Sequence, residues 1–343
     1  MFNPPYFSFF IETCSFVLHP KLFEIPIFLL YFTLVENSVL DYNLILKGCG
    51  IDSLPIQDVL SNIVNLEEFY TSTELVNIYN HILLTVKDSQ ILIQVIKCSD
   101  NYKNELTLKI LLEMMQYIPD KDDDDSINLR RTCVKAIANY KDYSTVKTLL
   151  DSMNNKKEHY RVRLACADAL GRIGDRFAVK PLIDLVEDDD EKSVYLKESA
   201  TFALGILGDT SAIEPLIKIL ESKRGFLDKF SFLKEKIVEA LGKLNLNNKV
   251  VMKALKNSLL DSSPMVRINA IEAIMNSDDE ESINLIRPCL KDEDDEVQKN
   301  ALIALYNLCG RDVLDEVISL PSYSKFLKEE AKILLEEYEE DDE

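Results

Sequence analysis

One register of residue types recurs along the C-terminal two thirds of the chain, and it restricts the possible folds more than any other feature of the sequence. The register is anchored by a residue, mostly alanine, that returns at spacings of 33, 34, 37, 33, 31 and 30 residues. The anchors are Ala136, Ala169, Ala203, Ala240, Ala273, Ala304 and Leu334. Periods of this length are typical of repeat proteins in which each unit is one pair of helices.

Four offsets from the anchor carry the same kind of residue in successive units. An aliphatic residue lies seven positions before the anchor, a mostly small residue three before it, and another aliphatic residue ten after it. A basic residue or Gln lies six positions before the anchor, at Arg130, Arg163, Lys197, Lys234, Arg267, Gln298 and Lys328. Agreement at these offsets predicts a helix, a tight turn and a second helix in every unit.

The unit at residues 160–187 shows the pattern most fully. Apolar residues at three- and four-residue spacing give its first helix one buried face. We expect Gly171 and Gly174 to end this helix and open the turn, and Asp175 to cap the second helix. The pattern predicts an all-α fold, a right-handed and curved α-solenoid whose second helices line the concave side.

Three segments carry a resemblance to a known family: RVRLACADALGRIGD, YLKESATFALGILGD and FLKEKIVEALGKLN. They resemble the HEAT repeat family, in the short HEAT-like form of the phycobilin lyases. The resemblance covers roughly residues 126–338 and implies the solenoid fold, whereas the fold alone does not imply one function. Met275 and Tyr306 replace the first glycine in two later units. We expect less regular helix pairing there.

The pattern predicts four segments in the chain. Residues 1–70 form an aromatic-rich helical cap, and residues 71–125 form degenerate helical repeats that end in an acidic loop. Residues 126–335 form the HEAT-like repeats, and residues 336–343 form an acidic tail. In the second segment we expect a degenerate pair at residues 73–97, with Asp88 at its turn, and a further helix near residues 104–118.

Residues 1–35 differ from the rest because they hold eight of the fifteen phenylalanines and four prolines. Their longest run without charge has eleven residues, which is too short for a transmembrane helix of about twenty residues. The segment also lacks the basic start of a secretory signal. We interpret it as a cap on the first open face of the solenoid, with interfacial membrane contact through the phenylalanines as the alternative.

Charge is distributed unevenly along this chain of net charge −20. Residues 159–260 hold 17 basic and 15 acidic residues, whereas residues 261–343 hold 8 basic and 23 acidic residues. An acidic end repels phosphate backbones, so the sequence argues against general nucleic-acid binding. The acidic runs lack the glycine and closing Glu of a calcium loop, and we predict no metal site in them.

Seven cysteines are present without any CxxC pair or regular spacing. This usage indicates a reducing compartment, and we expect a cytoplasmic protein. Cys133 and Cys166 occupy the small position that is alanine in other units, so we interpret them as packing residues.

The residues of one enzyme of the HEAT-like class are missing. The deoxyhypusine hydroxylase family carries His-Glu pairs just after the basic residue, where they converge on iron. The corresponding pairs here are Leu164-Ala165, Glu198-Ser199, Glu235-Lys236, Ile268-Asn269 and Lys299-Asn300. His19, His81 and His159 lie in separate segments, and the hydrolase, phosphate-binding and zinc-protease motifs are also missing. The sequence therefore predicts no catalytic, cofactor or metal residues.

These observations favour a non-catalytic scaffold, adaptor or assembly factor that binds a protein partner on its solenoid surface. The alternative implied by the resemblance is a bilin lyase-like protein, which would handle a tetrapyrrole or a phycobiliprotein without a fixed catalytic triad. A metal-dependent hydroxylase is a second alternative, against which the missing His-Glu pairs argue.

We predict the partner site where the spacing rises to 37 residues, in an insertion at residues 222–232. Insertions in solenoids often lie on the binding face, and aromatic and basic residues are enriched at interfaces. The predicted contact residues are Lys223, Arg224, Phe226, Lys229 and Phe230. Alternatively, the phenylalanines seal a wider gap between units. Because Phe232 and Lys234 adjoin the regular helix, we interpret these two as structural.

Overall fold

The computed structural model describes residues 40–116, 123–221, 231–244, 246–277 and 280–341. Within these ranges the chain forms helices and turns and contains no strand. The described residues belong to two compact units, and the division falls after Ala136. Residues 1–39, which include most of the predicted aromatic cap, lie outside the described part of the chain.

The first unit contains five helices and the first part of a sixth. Their bounds are α1 Tyr42–Cys49, α2 Ile56–Asn65, α3 Ser72–Thr85, α4 Ser89–Ser99, α5 Glu105–Met114 and α6 Asp124–Tyr140. The degenerate pair and the further helix predicted after residue 71 correspond to α3, α4 and α5, and they are confirmed. Asp88, which was predicted at the turn, caps α4, because its carboxylate accepts hydrogen bonds from Gln90 N and Ile91 N.

The second unit contains the remaining helices. They are α7 Val146–Asn154, α8 Tyr160–Ile173, α9 Val179–Glu187, α10 Val194–Leu207, α11 Ile213–Leu220, α12 Ser231–Leu244, α13 Lys249–Ser258, α14 Pro264–Met275, α15 Glu280–Ile286, α16 Asp295–Cys309, α17 Asp312–Ser319 and α18 Lys325–Asp341. The even-numbered helices from α8 to α18 are the first helices of the repeats, and each packs against the next. Each second helix also packs against the first helix of the following repeat. The predicted all-α class and stacked helix pairs are therefore confirmed.

Polar caps begin the second helix in several repeats. Asp175 accepts a hydrogen bond from Phe177 N at 2.9 Å and starts a 3₁₀ turn, Arg176–Ala178, that leads into α9. The side-chain oxygen also accepts a hydrogen bond from the N–H two residues later at Asp142, Asp209 and Asn248. The predicted capping role of Asp175 is confirmed, because a short acceptor at this position satisfies an amide with no helical partner.

The two glycines of the repeat have different roles, so the prediction for one of them is wrong. Gly174 ends α8 with a φ of +84°, a left-handed conformation that suits glycine. Gly171 lies inside α8 instead of ending it. A Cβ there would lie 2.9 Å from the Cα and Cβ of Ala203, the anchor of the next repeat. Gly171 is thus a contact residue that lets two first helices approach closely.

Helix pairing is less regular in the Ala273 repeat, as predicted, but for a different reason. Its second helix is short, and after Ile286 it continues as a 3₁₀ segment, Arg287–Lys291. Pro288 in this segment has no N–H to donate to an α-helical hydrogen bond. Met275 replaces a contact glycine rather than a turn glycine, so the missing glycine is not the cause.

The recurring basic residue or Gln is a buried link between repeats. Arg163 donates to Met153 O at 2.7 Å, at the end of α7, and to the Glu191 carboxylate at 2.7 Å. The side chains of this ion pair are both less than a tenth exposed. Lys197 donates to Val186 O and Asp188 O at 3.1 and 2.6 Å, at the end of α9. Each cation thus satisfies carbonyl groups at the C-terminus of the preceding second helix.

The same link continues toward the C-terminus. Arg267 donates to Asp261 O at 2.8 Å and pairs with Asp292 through two nitrogens. Asp261 also pairs with Lys234 at 2.9 Å, and Gln298 donates to Asp292 O at 2.7 Å. The loops that join successive repeats are therefore held by hydrogen bonds from the recurring basic or Gln residue, most of which are charge-assisted.

Candidate partner-binding site

The predicted contact residues lie outside the described part of the chain. Lys223, Arg224, Phe226, Lys229 and Phe230 fall within residues 222–230, between the described Glu221 and the start of α12 at Ser231. Their role as a partner site stays a prediction, and the described residues that flank them carry the structural argument.

Of the two flanking residues predicted to be structural, one has that role. Lys234 pairs with Asp261 at 2.9 Å, and both side chains are largely buried. Phe232 is 62% exposed, so the prediction for it is wrong. Phe232 lies in the first turn of α12, two residues before Lys234, on a part of the helix that no neighbouring described helix covers.

Phe232 belongs to a row of exposed apolar side chains that the sequence reasoning missed. Tyr195 and Met265 lie at the same position as Phe232, eight residues before the anchors of consecutive repeats, in the first turns of α10 and α14. Tyr195 is 65% exposed and Met265 is 50% exposed. The helices α10, α12 and α14 pack side by side. We call these three residues the apolar row.

One signal in the sequence would have revealed the apolar row. The aliphatic residue seven positions before the anchor is buried in these repeats, at Leu196, Leu233 and Val266. A large apolar residue directly before it therefore faces away from the core, because neighbouring helical positions differ in direction by about 100°. Three consecutive repeats have such a residue, while the equivalent residue of the preceding repeat is Arg161.

Acidic side chains near the apolar row have structural roles. Asp188 accepts a hydrogen bond from Asp190 N at 2.9 Å, and this bond lowers the pKa of Asp188. Asp261 accepts from Ser263 N at 2.9 Å, and Asp292 accepts from Asp294 N at 2.9 Å. Part of each acidic run therefore shapes the loop between repeats.

The positions that would hold His-Glu pairs in the hydroxylase family connect neighbouring first helices instead. The Ser199 hydroxyl donates to Leu164 O at 3.2 Å and to the Asp168 carboxylate, and Asn269 donates to Glu235 O at 3.2 Å. Burial is the main cause that raises the pKa of Glu198, and the charges of Glu235 and Asp168 add to it. Across the described ranges, no three His, Cys, Asp or Glu side chains form a group able to hold a metal.

The described histidines and cysteines have packing or capping environments. His81 stacks on Tyr42 with ring centroids 4.5 Å apart, and His159 Nδ1 accepts from Arg161 N at the start of α8. Cys133 and Cys166 are fully buried, which confirms their packing role, and burial raises the pKa of each thiol to about 12. Such thiols are not activated nucleophiles.

A cavity of about 520 Å³ lies within the first unit. Its apolar lining residues include Leu46, Ile51, Leu54 and Ile91, and its polar lining residues are Asp52, Thr85, Lys87 and Asp88. The carboxylate of Asp88 is already used to cap α4.

Stacked helix pairs with a common register, linked by buried cations, define this chain as an α-helical repeat protein. The family model described as HEAT repeats matches residues 120–195, 226–306 and 249–322, which together make up half of the chain. The model described as PBS lyase HEAT-like repeat matches residues 196–222. The chain belongs to the HEAT repeat family, as the resemblance predicted.

Comparison with solved structures gives distant likenesses to helical proteins. Human deoxyhypusine hydroxylase in complex with glycerol is 15% identical with a TM-score of 0.35, over 78% of this chain and 97% of that one. The complex of CpcE and CpcF of phycocyanin lyase from Nostoc sp. PCC7120 is 22% identical with a TM-score of 0.44, over 68% of this chain and 89% of that one. Kap121p is 11% identical with a TM-score of 0.48, over 94% of this chain and 42% of that one. No curated protein matches the chain.

A helix that crosses a membrane must be both long and apolar. Among the helices of the described residues, none combines the length and the apolar character needed to cross a membrane. The predicted alternative of interfacial contact concerns residues 1–35, which lie outside the described ranges.

Proposed function

We propose that this protein is a non-catalytic scaffold, an adaptor or assembly factor, that binds a protein partner across the N-terminal ends of α10, α12 and α14. The observation that carries the proposal is the apolar row. Three large apolar side chains at one position of three adjacent helices are exposed to water, and exposed apolar patches are typical of interaction sites.

The chemistry of the row supports a protein partner. Tyr195 and Phe232 are aromatic residues of the kind that dominate interface energies, and Met265 adapts to irregular surfaces. The predicted insertion at residues 222–232 ends in the sequence at Phe232 of the row, so we propose that the predicted contacts Lys223, Arg224 and Phe226 belong to the same site. Buried, unactivated thiols support a cytoplasmic location.

The experiment compares partner capture by matched variants. Changing Tyr195, Phe232 and Met265 together to Ser removes the apolar row without touching the core, so we expect unchanged melting and loss of the captured protein. The control changes Tyr143, Phe177 and Ile206 to Ser. These residues are also exposed, but Tyr143 and Phe177 lie in 3₁₀ turns within repeats and Ile206 lies in the last turn of α10, away from its N-terminal end. Quantitative mass spectrometry of the captured proteins gives the comparison. Equal capture by both variants would show that the apolar row is not the partner site.

A separate variant tests the insertion. Changing Lys223, Arg224 and Phe226 to Ala weakens capture of the same protein if the insertion contributes contacts to the site. Unchanged capture by this folded variant would restrict the site to the row.

Pigment handling is a second candidate, favoured by the match of residues 196–222 to the PBS lyase HEAT-like repeat model. The candidate is a bilin lyase-like protein with a tetrapyrrole or a phycobiliprotein as its partner. Co-expression with a bilin source tests it: a visible absorbance band that purifies with the protein supports pigment binding, and a colourless protein contradicts it.

A further inference from the structure

One helix of the second unit presents a basic face in a protein of net charge −20. Lys249, Lys253 and Lys256 of α13 are spaced i, i+4 and i+7 and are all exposed. The opposite side of the helix is buried through Val251, Ala254, Leu255 and Ser258. Because this spacing brings side chains onto one side of an α-helix, the three ammonium groups form a single surface, which we call the lysine face.

The lysine face differs from the exposed lysines on α9 and α11. Lys180 pairs with Asp184 in the same helix, and Lys218 pairs with Glu187 of the preceding repeat at 3.0 Å. Helix α13 contains no acidic residue, and its three lysines make no ion pair with any residue that the structure describes. In a chain of net charge −20, three adjacent lysines without an ion-pair partner among the described residues mark a place that complements negative charge.

An exposed apolar residue follows the lysine face along the chain. Leu260 lies in the turn after α13, two residues beyond the helix end at Ser258, and it is 85% exposed. The adjacent Asp261 pairs with Lys234 of α12, two residues after Phe232. The lysine face is therefore followed by an apolar residue close to the N-terminal turn that carries part of the apolar row.

We propose that the lysine face binds an acidic segment of a protein partner, with carboxylates against Lys249, Lys253 and Lys256 and an apolar side chain against Leu260. This inference rests on the proposed scaffold function and specifies the chemistry of the partner. Carboxylates spaced along a helix would match three lysines spaced along α13, and exclusion of water by Leu260 would strengthen these contacts.

A nucleic acid fits the surface less well. The face is three lysines long, and the residues that follow it, 261–343, hold 23 acidic and 8 basic residues. A phosphate backbone that extends beyond the lysine face would meet this acidic region, whereas a short acidic protein segment ends within the face.

The test uses defined probes with the full-length protein. The first probe is a fluorescein-labelled peptide with glutamates at helical spacing followed by leucine, and its controls replace the glutamates with lysine or the leucine with serine. Fluorescence anisotropy is measured at low salt. A single-stranded DNA oligonucleotide of equal charge tests whether any polyanion binds.

Two charge-matched variants decide the outcome. Changing Lys249, Lys253 and Lys256 to Gln should weaken binding of the acidic peptide by roughly tenfold or more, since three exposed charge pairs are lost. Changing Lys147, Lys180 and Lys218 to Gln alters net charge equally and should leave binding within roughly twofold of wild type. Leu260→Ser should weaken binding of the peptide that contains leucine more than binding of the control peptide that contains serine.

The outcomes separate this inference from the proposed function. Equal weakening by both lysine variants, no binding by wild type, or DNA binding as tight as peptide binding would each overturn the lysine face as an acidic-segment site. Partner capture that depends on the apolar row would still support the scaffold function in those cases. The converse result is also informative. If the acidic peptide binds specifically but the apolar-row variant captures the partner normally, the apolar row is contradicted as the partner site and the lysine face is supported.

Discussion

At the scale of single residues, the close contacts between first helices depend on glycine and alanine. Gly171 faces Ala203, Gly205 faces Ala240, and Gly242 faces Ala273, so one contact is repeated in three successive repeats. A side chain at any of these glycines would meet the next helix, because protein interiors have no spare volume. The small residues of the register are therefore required by distance between helices as well as by burial.

Gly242→Ala should lower the free energy of unfolding by about 1–2 kcal/mol. A Cβ at residue 242 would lie 2.7 Å from the Cβ of Ala273, and this overlap outweighs the roughly 1 kcal/mol that alanine gains in helix propensity. Urea unfolding followed by circular dichroism measures the change. Adding Ala273→Gly removes the overlapping atom and should restore most of the stability; a stabilised single variant would contradict the contact.

These contacts show where residue patterns stop being informative. The sequence predicted a glycine turn after residue 169, and Gly174 has the expected left-handed φ. It did not separate Gly171 from Gly174, because a glycine that ends a helix and one that admits a neighbour look alike in a single chain. Phe232 was misassigned for a related reason: its exposure depends on whether another helix covers the first turn of α12.

At the scale of elements, buried cations join the end of one second helix to the loop of the next repeat. Arg163 combines a carbonyl contact to Met153 with a buried ion pair to Glu191. The recurring basic position was visible in the sequence, but its partners were not, since they lie ten residues before it and 28 after it. Spacing along the chain identified the helices, and three-dimensional contacts were needed to explain why a charge is buried there.

Arg163→Met should lower the free energy of unfolding by about 3–5 kcal/mol, because it leaves the Glu191 carboxylate buried without its partner. The double variant with Glu191→Leu should recover much of this loss, since no uncompensated charge remains. Lys180→Met is the control, because the exposed pair with Asp184 contributes little to stability. Equal effects of the two single variants in urea unfolding would argue against a stabilising role for the buried link.

At the scale of the whole molecule, the dominant electrostatic feature is a net charge of −20 concentrated in residues 261–343. Repulsion among like charges destabilises a folded chain, and dissolved salt screens it. Salt also weakens exposed ion pairs such as Lys109–Glu105 and Lys332–Glu329, but each contributes little. The buried pairs, including Arg163–Glu191, are screened much less because solvent ions do not approach them.

Raising sodium chloride from low to near-physiological concentration at pH 7 should therefore increase the melting temperature. Repulsion is the larger of the two screened effects, and a gain of about 1 kcal/mol would raise Tm by roughly 2–4 °C in a chain of this size. Differential scanning calorimetry at several salt concentrations measures this rise in melting temperature. Changing Lys147, Lys180 and Lys218 to Gln should make the rise larger, because the net charge becomes more negative. A melting temperature that falls with salt would mean that attraction among surface charges exceeds their repulsion, and that the acidic C-terminal region is locally compensated by the bases around it.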